Sequence, residues 1–249
     1  MKKTHLIILS LFLTSAIIIT ATVITYKALT VPKSKKYVVE TIEANSKGYI
    51  KVGIISDAQL PQEEKNLYGW DYATVMNGAD HLIKALKYYK SQNVDMIVFN
   101  GDMVNATGDY AAYSAYNKIL DYVYGEDRAE APHIIYPMGN HEFYGGNQEH
   151  NFYKSTGLPL NTRTIVNGYS FISISNSKLE KGDEELAESN DTLADGTYNE
   201  KRIEFLKEQL AAANTEDPNK PIFVFIHMPI SNIVNGGHWA TPQYEEIYS

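Results

Sequence analysis

Four short apolar runs in this chain are each followed at once by charged or metal-capable residues, and that repeated junction restricts the folds open to it. Residues 49–56 lead into Ser56-Asp57-Ala58-Gln59, and residues 95–100 into Asn100-Gly101-Asp102. Residues 134–137 lead into Gly139-Asn140-His141-Glu142, and residues 221–226 into His227-Met228-Pro229. The runs are short and apolar, which predicts strands. Between them lie helical stripes of 3.6-residue period. Residues 72–93 carry Val75, Ala79, Leu82, Ile83 and Leu86 on one face. Residues 111–124 carry Tyr116, Ile119, Leu120 and Val123, with Gly125 as a stop, and residues 200–213 carry Ile203, Leu206 and Leu210. Residues 169–175 alternate as a strand with one polar face. Residues 179–196 read as an acidic, exposed excursion. Strands alternating with helices predict an α/β domain, whose ligands gather beyond the carboxyl ends of the strands.

The donors available are restricted by composition. The chain has no Cys, which excludes disulfides, thiolate zinc sites, iron–sulfur clusters and a cysteine nucleophile. A net charge of −8 argues against nucleic acid as a scaffold partner. What remains at the strand ends is hard oxygen and imidazole, the set that binds Mn, Fe, Zn or Mg.

The amino terminus carries a separate signal. Lys2 and Lys3 precede an uncharged apolar run, residues 6–26. As a helix it reaches about 30 Å, the thickness of a bilayer's hydrocarbon core. Thr20-Ala21-Thr22 is a poor cleavage site, so the run is expected to stay as a transmembrane signal-anchor. Residues 31–36 form a short basic linker. The expected division is residues 1–36 as anchor and linker and residues 37–249 as a catalytic domain. The lysines flanking the far end of the run argue for the opposite orientation by the positive-inside rule. The short basic tail before the run favours a single-pass membrane protein with its domain outside the cytoplasm.

Taken singly, each strand-end cluster is as well explained by a helix cap, a tight turn or a structural histidine. Taken in order, Asp57-Ala58-Gln59, Gly101-Asp102, Gly139-Asn140-His141-Glu142 and His227-Met228-Pro229 resemble the calcineurin-like metallophosphoesterase family. Its pattern runs Asp-x-His, Gly-Asp, Gly-Asn-His-Asp/Glu, a lone His after a strand, then Gly-His-x-His. The resemblance spans residues 49–229. It implies a two-sheet sandwich flanked by helices, two divalent metal ions and a small phosphoester substrate. It also implies hydrolysis of a phosphomonoester or phosphodiester through a metal-bridging hydroxide. By position, Asp57 and Gln59 would hold one ion, Asp102 would bridge, and Asn140 and His227 would hold the other. His141 would donate a proton to the leaving oxygen. Asn105 and His238 are candidates for touching substrate, although a turn or a surface loop explains each as well.

Two departures qualify the resemblance. Gln59 stands where the family has His; either its amide oxygen ligates, favouring Mn or Mg over Zn, or it ligates nothing. The final Gly-His-x-His is absent, because Gly237-His238-Trp239-Ala240 does not match it. The sequence is then a fragment of a longer frame, a natural truncation, or one in which another residue such as His238 substitutes. These departures motivate the alternative of a catalytically impaired surface protein that binds a ligand or partner.

Overall fold

The structure is a computed structural model, and it describes residues 36–44, 48–60, 72–105, 110–143, 148–176 and 200–228. The apolar run 6–26, the acidic excursion and His238 lie outside the described residues. Among the described residues no helix is long and apolar enough to cross a membrane.

Among the described residues, seven strands form two sheets. Strands β2 (Val52–Ile55), β3 (Met96–Phe99) and β4 (His133–Ile135) make a three-stranded parallel sheet in the order β2-β3-β4. Strands β1 (Tyr37–Ile42), β5 (Asn161–Val166), β6 (Tyr169–Ser173) and β7 (Ile222–Phe225) make a mixed sheet in the order β1-β5-β6-β7. In that sheet β5 and β6 are an antiparallel hairpin, and β1 and β7 add in parallel at its two edges. Helices α1 (Tyr72–Gln92) and α2 (Tyr110–Tyr124) are the crossovers of the parallel sheet, as parallel pairing requires. Helices α3 (Gln148–Thr156) and α4 (Glu200–Glu216) precede β5 and β7.

The period-2 alternation of β3 assigns its residues to two cores. Ile97 and Phe99 face the helices, in a cluster with Leu82 and Leu86 of α1, Tyr116 and Leu120 of α2 and Phe152 of α3. Met96 and Val98 face the other sheet and meet Ile135, Val166 and Phe171. A third cluster packs Ile203, Phe205 and Leu206 of α4 against Ile172 and Ile174. The layers are therefore helices, parallel sheet, mixed sheet, helix: the α/β sandwich expected.

Two strands and a helix escape the sequence patterns. Strand β5 reads Asn-Thr-Arg-Thr-Ile-Val, yet Thr162, Arg163 and Thr164 are buried. Their polar atoms are satisfied by side chains: Thr162 meets Ser173, Arg163 meets Ser170 and Glu216, and Thr164 meets Glu40. Hydropathy cannot flag such a strand. Strand β1 shows the e-i-e-i burial of a half-covered edge, and α3 is nine residues of mostly polar sequence. The strand expected at residues 134–137 is displaced to His133–Ile135.

Candidate metal centre

The centre is built where the parallel sheet ends. Pairing continues past β2 and β3: Asn100 N–H donates to the Ile55 carbonyl (2.7 Å), Asp57 N–H to that of Gly101 (3.1 Å) and Gln59 N–H to that of Asp102 (2.9 Å). Leu60 and Val104 then form an isolated parallel bridge. Asp57, Gln59 and Asp102 are all left-handed, with φ of 58°, 51° and 54°. Each costs on the order of 1 kcal/mol relative to ordinary backbone, a cost that the continued pairing over-determines. Such strain concentrates at functional sites.

Glycine is required by close approach. A Cβ on Gly139 would lie 2.2 Å from Asp102 Oδ1 and 2.8 Å from His227 Cδ2. On Gly101, at φ +84°, it would lie 2.6 Å from the His227 ring. These two glycines let three loops converge on one point.

At that point single donor atoms of Asp57, Asp102 and His227 all lie within 4.8 Å of one another. Asp102 is buried and Asp57 exposed, so the cluster opens on one side. His227 Nδ1 donates to the Asn100 carbonyl (2.8 Å), and its Nε2 lies 3.1 Å from Asp102 Oδ2. Burial opposes charging this ring, but Asp102, the Asn100 carbonyl and Asp57 outweigh it and hold its pKa up at about 9. The two carboxylates thus draw a proton to the place where a cation fits. Metal uptake there must displace that proton.

The Gln59 amide Nε2 donates to Asp102 Oδ2 (3.2 Å). Its Oε1 is buried without a hydrogen-bond partner. A buried amide oxygen next to the Asp102 carboxylate, with lone pairs that no hydrogen-bond donor fills, is a ready ligand, so the residues present fit a hard divalent ion. Asn140 is half-buried between Gly139, packed on Asp102, and His141. His141 opens a short 3-10 turn, His141–Phe143. Its backbone N–H donates to Asp102 Oδ1 (2.9 Å), and its ring Nε2 stands 3.8 Å from Asp102 Oδ2. The ring Nδ1 meets Asn105 Oδ1 at 3.1 Å. Asn105, a candidate for touching substrate, is thus engaged with an imidazole. His81 and His150 are exposed on α1 and α3, and His133 pairs with Glu40 at 3.2 Å.

Two residues of the centre carried no assigned role in the sequence. Asn100 joins the ends of β3 and β7, its amide donating to the Ile226 carbonyl (3.0 Å) while its own carbonyl receives His227. Glu142, fully buried, accepts from the backbone N–H of Asp102, Met103 and Gly139 and from the Tyr136 hydroxyl, all within 2.9 Å, and from that of Val104 at 3.3 Å. Burial and the neighbouring charge of Asp102 raise its pKa to about 7 against those hydrogen bonds. The only signal for it was its place at the end of the Gly-Asn-His-Glu element.

Comparison with known proteins bears on the family and the fold. The family model described as calcineurin-like phosphoesterase matches residues 50–247. The crystal structure of a dimetal phosphatase from Danio rerio is similar in fold, with a TM-score of 0.59 at 18% identity, over 80% of this chain and 76% of that one. No curated protein matches the chain by sequence.

Proposed function

The chain belongs to the calcineurin-like phosphoesterase family, and from that premise we propose that it hydrolyses a phosphomonoester or phosphodiester with two divalent ions. The ions would be held by Asp57, Gln59, Asp102, Asn140 and His227. The observation that carries this reading is the convergence of Asp57, Asp102 and His227 within 4.8 Å, beside the unpartnered Oε1 of Gln59. Bound ions of this kind lower the pKa of water and neutralise phosphoryl oxygens.

The residues divide the remaining work. Asp102 turns Oδ2 towards His227 and Gln59 and Oδ1 towards the His141 amide, which supports it as the carboxylate the two ions would share. Asn100 holds His227 by Nδ1 so that Nε2, which faces Asp102, is the nitrogen that would ligate an ion once its proton leaves. His141 holds a proton at a ring nitrogen beside the centre, where a leaving oxygen needs one.

The test is hydrolysis of p-nitrophenyl phosphate and bis-p-nitrophenyl phosphate by chelator-stripped protein reloaded with Mn2+, Mg2+ or Zn2+. Activity in the reloaded protein that chelator removes supports the reading. Stoichiometric metal without hydrolysis of either ester favours the impaired, ligand-binding alternative, and activity that survives chelator points to a different hydrolase.

We further propose that residues 1–36 anchor the catalytic domain, residues 37–249, to the outer face of a cell membrane. The uncharged run 6–26 behind Lys2 and Lys3 supports it. A carboxyl-terminal reporter active only outside the cytoplasm tests it: signal in the full chain, lost on deleting residues 1–36, is the expected result. A reporter silent in both rejects it.

A further inference from the structure

Two of the loops that carry the centre hang on one buried carboxylate. Oε2 of Glu142 accepts from Asp102 N–H at 2.9 Å and from Gly139 N–H at 2.7 Å. The first belongs to the loop after β3, the second to the loop after β4. Oε1 accepts from Met103 N–H (2.9 Å), Val104 N–H (3.3 Å) and the Tyr136 hydroxyl (2.7 Å). A carboxylate offers about four lone-pair sites, and five donors engage this one. Glu142 therefore has no oxygen to spare for a metal or a substrate, and it does not belong to the Asp57, Asp102, His227 group.

Successive N–H groups of residues 102, 103 and 104 point at one anion. That arrangement follows a pair of left-handed residues, Gly101 at φ +84° and Asp102 at φ +54°, and resembles a backbone nest closed around a carboxylate. The same anion reaches across to Gly139, whose missing Cβ lets Asp102 approach.

The geometry points to Glu142 as a positioning residue that sets the spacing of Asp102 from the Asn140–His141 turn. It thereby tunes metal affinity and turnover without touching ion or substrate. The inference rests on the metal reading given above. Tyr136 supplies the internal control, because its hydroxyl bonds the same carboxylate from the hydrophobic core and is not one of the backbone N–H groups that Glu142 collects.

The experiment compares wild type, Glu142→Gln, Glu142→Asp and Tyr136→Phe in the full chain. Mn2+ affinity is read by electron paramagnetic resonance of free ion, with thermal midpoint and kcat and KM measured alongside. Glutamine keeps the shape but aims an N–H2 at one of the two loops, so Mn2+ affinity should fall by about 10–100-fold, the usual loss when a supporting residue is removed. The loss should appear in kcat, with KM for p-nitrophenyl phosphate nearly unchanged. Tyr136→Phe should lower the thermal midpoint and leave Mn2+ affinity unchanged. Should Glu142→Gln not fold, Glu142→Asp decides, because it keeps the charge but is one methylene too short to serve both loops. Wild-type Mn2+ affinity in either folded Glu142 variant overturns the inference, as does an equal loss in Tyr136→Phe, which would make Glu142 merely structural. A wild type that takes up no metal overturns the metal reading itself, and this inference with it.

Discussion

Nδ1 of His141 lies 3.1 Å from Oδ1 of Asn105, while the backbone N–H of the same histidine donates to Asp102 at 2.9 Å. Asn105 is in turn pinned through its own N–H to the Leu60 carbonyl (2.7 Å). An amide oxygen at Nδ1 selects the tautomer with its proton there. It turns Nε2 towards Asp102 and the metal centre; in the doubly protonated ring, where both nitrogens are donors, Nε2 is the one that would give its proton to a leaving oxygen.

The expected consequence is a leaving-group effect. His141→Ala should slow turnover by at least about a hundredfold, the usual scale of lost proton transfer. The loss should grow along a series of aryl phosphates as the leaving phenol becomes more basic, because a poor leaving group needs the proton most. Steady-state rates across that series check it; an equal loss for every ester would remove His141 from proton transfer.

Gly139 and Gly157 make a matched pair for the packing of the centre. Gly157 has φ +70° and open space where a Cβ would go. Gly157→Ala should therefore cost only the left-handed backbone penalty, roughly 1 kcal/mol, with metal binding intact. Gly139→Ala drives a methyl against Asp102 and His227. It should cost about 1–3 kcal/mol, as overpacking does, and weaken Mn2+ uptake. Thermal unfolding with and without Mn2+ separates the two.

Gln59 predicts a metal preference. Its amide oxygen is a hard, neutral donor beside two carboxylates, an oxygen-rich set that suits Mn or Mg better than Zn. Gln59→His should shift the ratio of Zn2+ to Mn2+ affinity towards Zn2+. Competition titration measures that ratio; no change would mean that position 59 ligates nothing.

The site was more legible in the sequence than the framework around it, for a physical reason. Parallel strands β2, β3 and β4 bring their carboxyl ends to one edge, so Asp57, Asp102 and Asn140 could be gathered from apolar run and following polar residue alone. Strand β5 hides because Arg163 and its threonines are buried with side-chain partners up to 124 residues away, and no local pattern encodes such partners. Glu142 hides for a related reason. Its work is done on backbone N–H groups, which every residue carries, so nothing in residues 102–104 announces that a carboxylate 38–40 positions later will collect them.

Asp102 gives the most direct check of the centre. It touches two of the other proposed ligands, His227 and Gln59, and the His141 amide, so one change of charge bears on all three. Asp102→Asn keeps the shape and removes the anion. Ligand linkage stabilises a folded protein by about 2.7 kcal/mol at a hundred times Kd, so Mn2+ should raise the thermal midpoint of wild type. In Asp102→Asn that rise should vanish and turnover should fall at least about a hundredfold. The metal-free variant should unfold cooperatively near the wild-type midpoint, because the buried Glu142 carboxylate loses a repulsive neighbour while His227 loses an attractive one. A variant that still gains stability from Mn2+ would place the ion elsewhere.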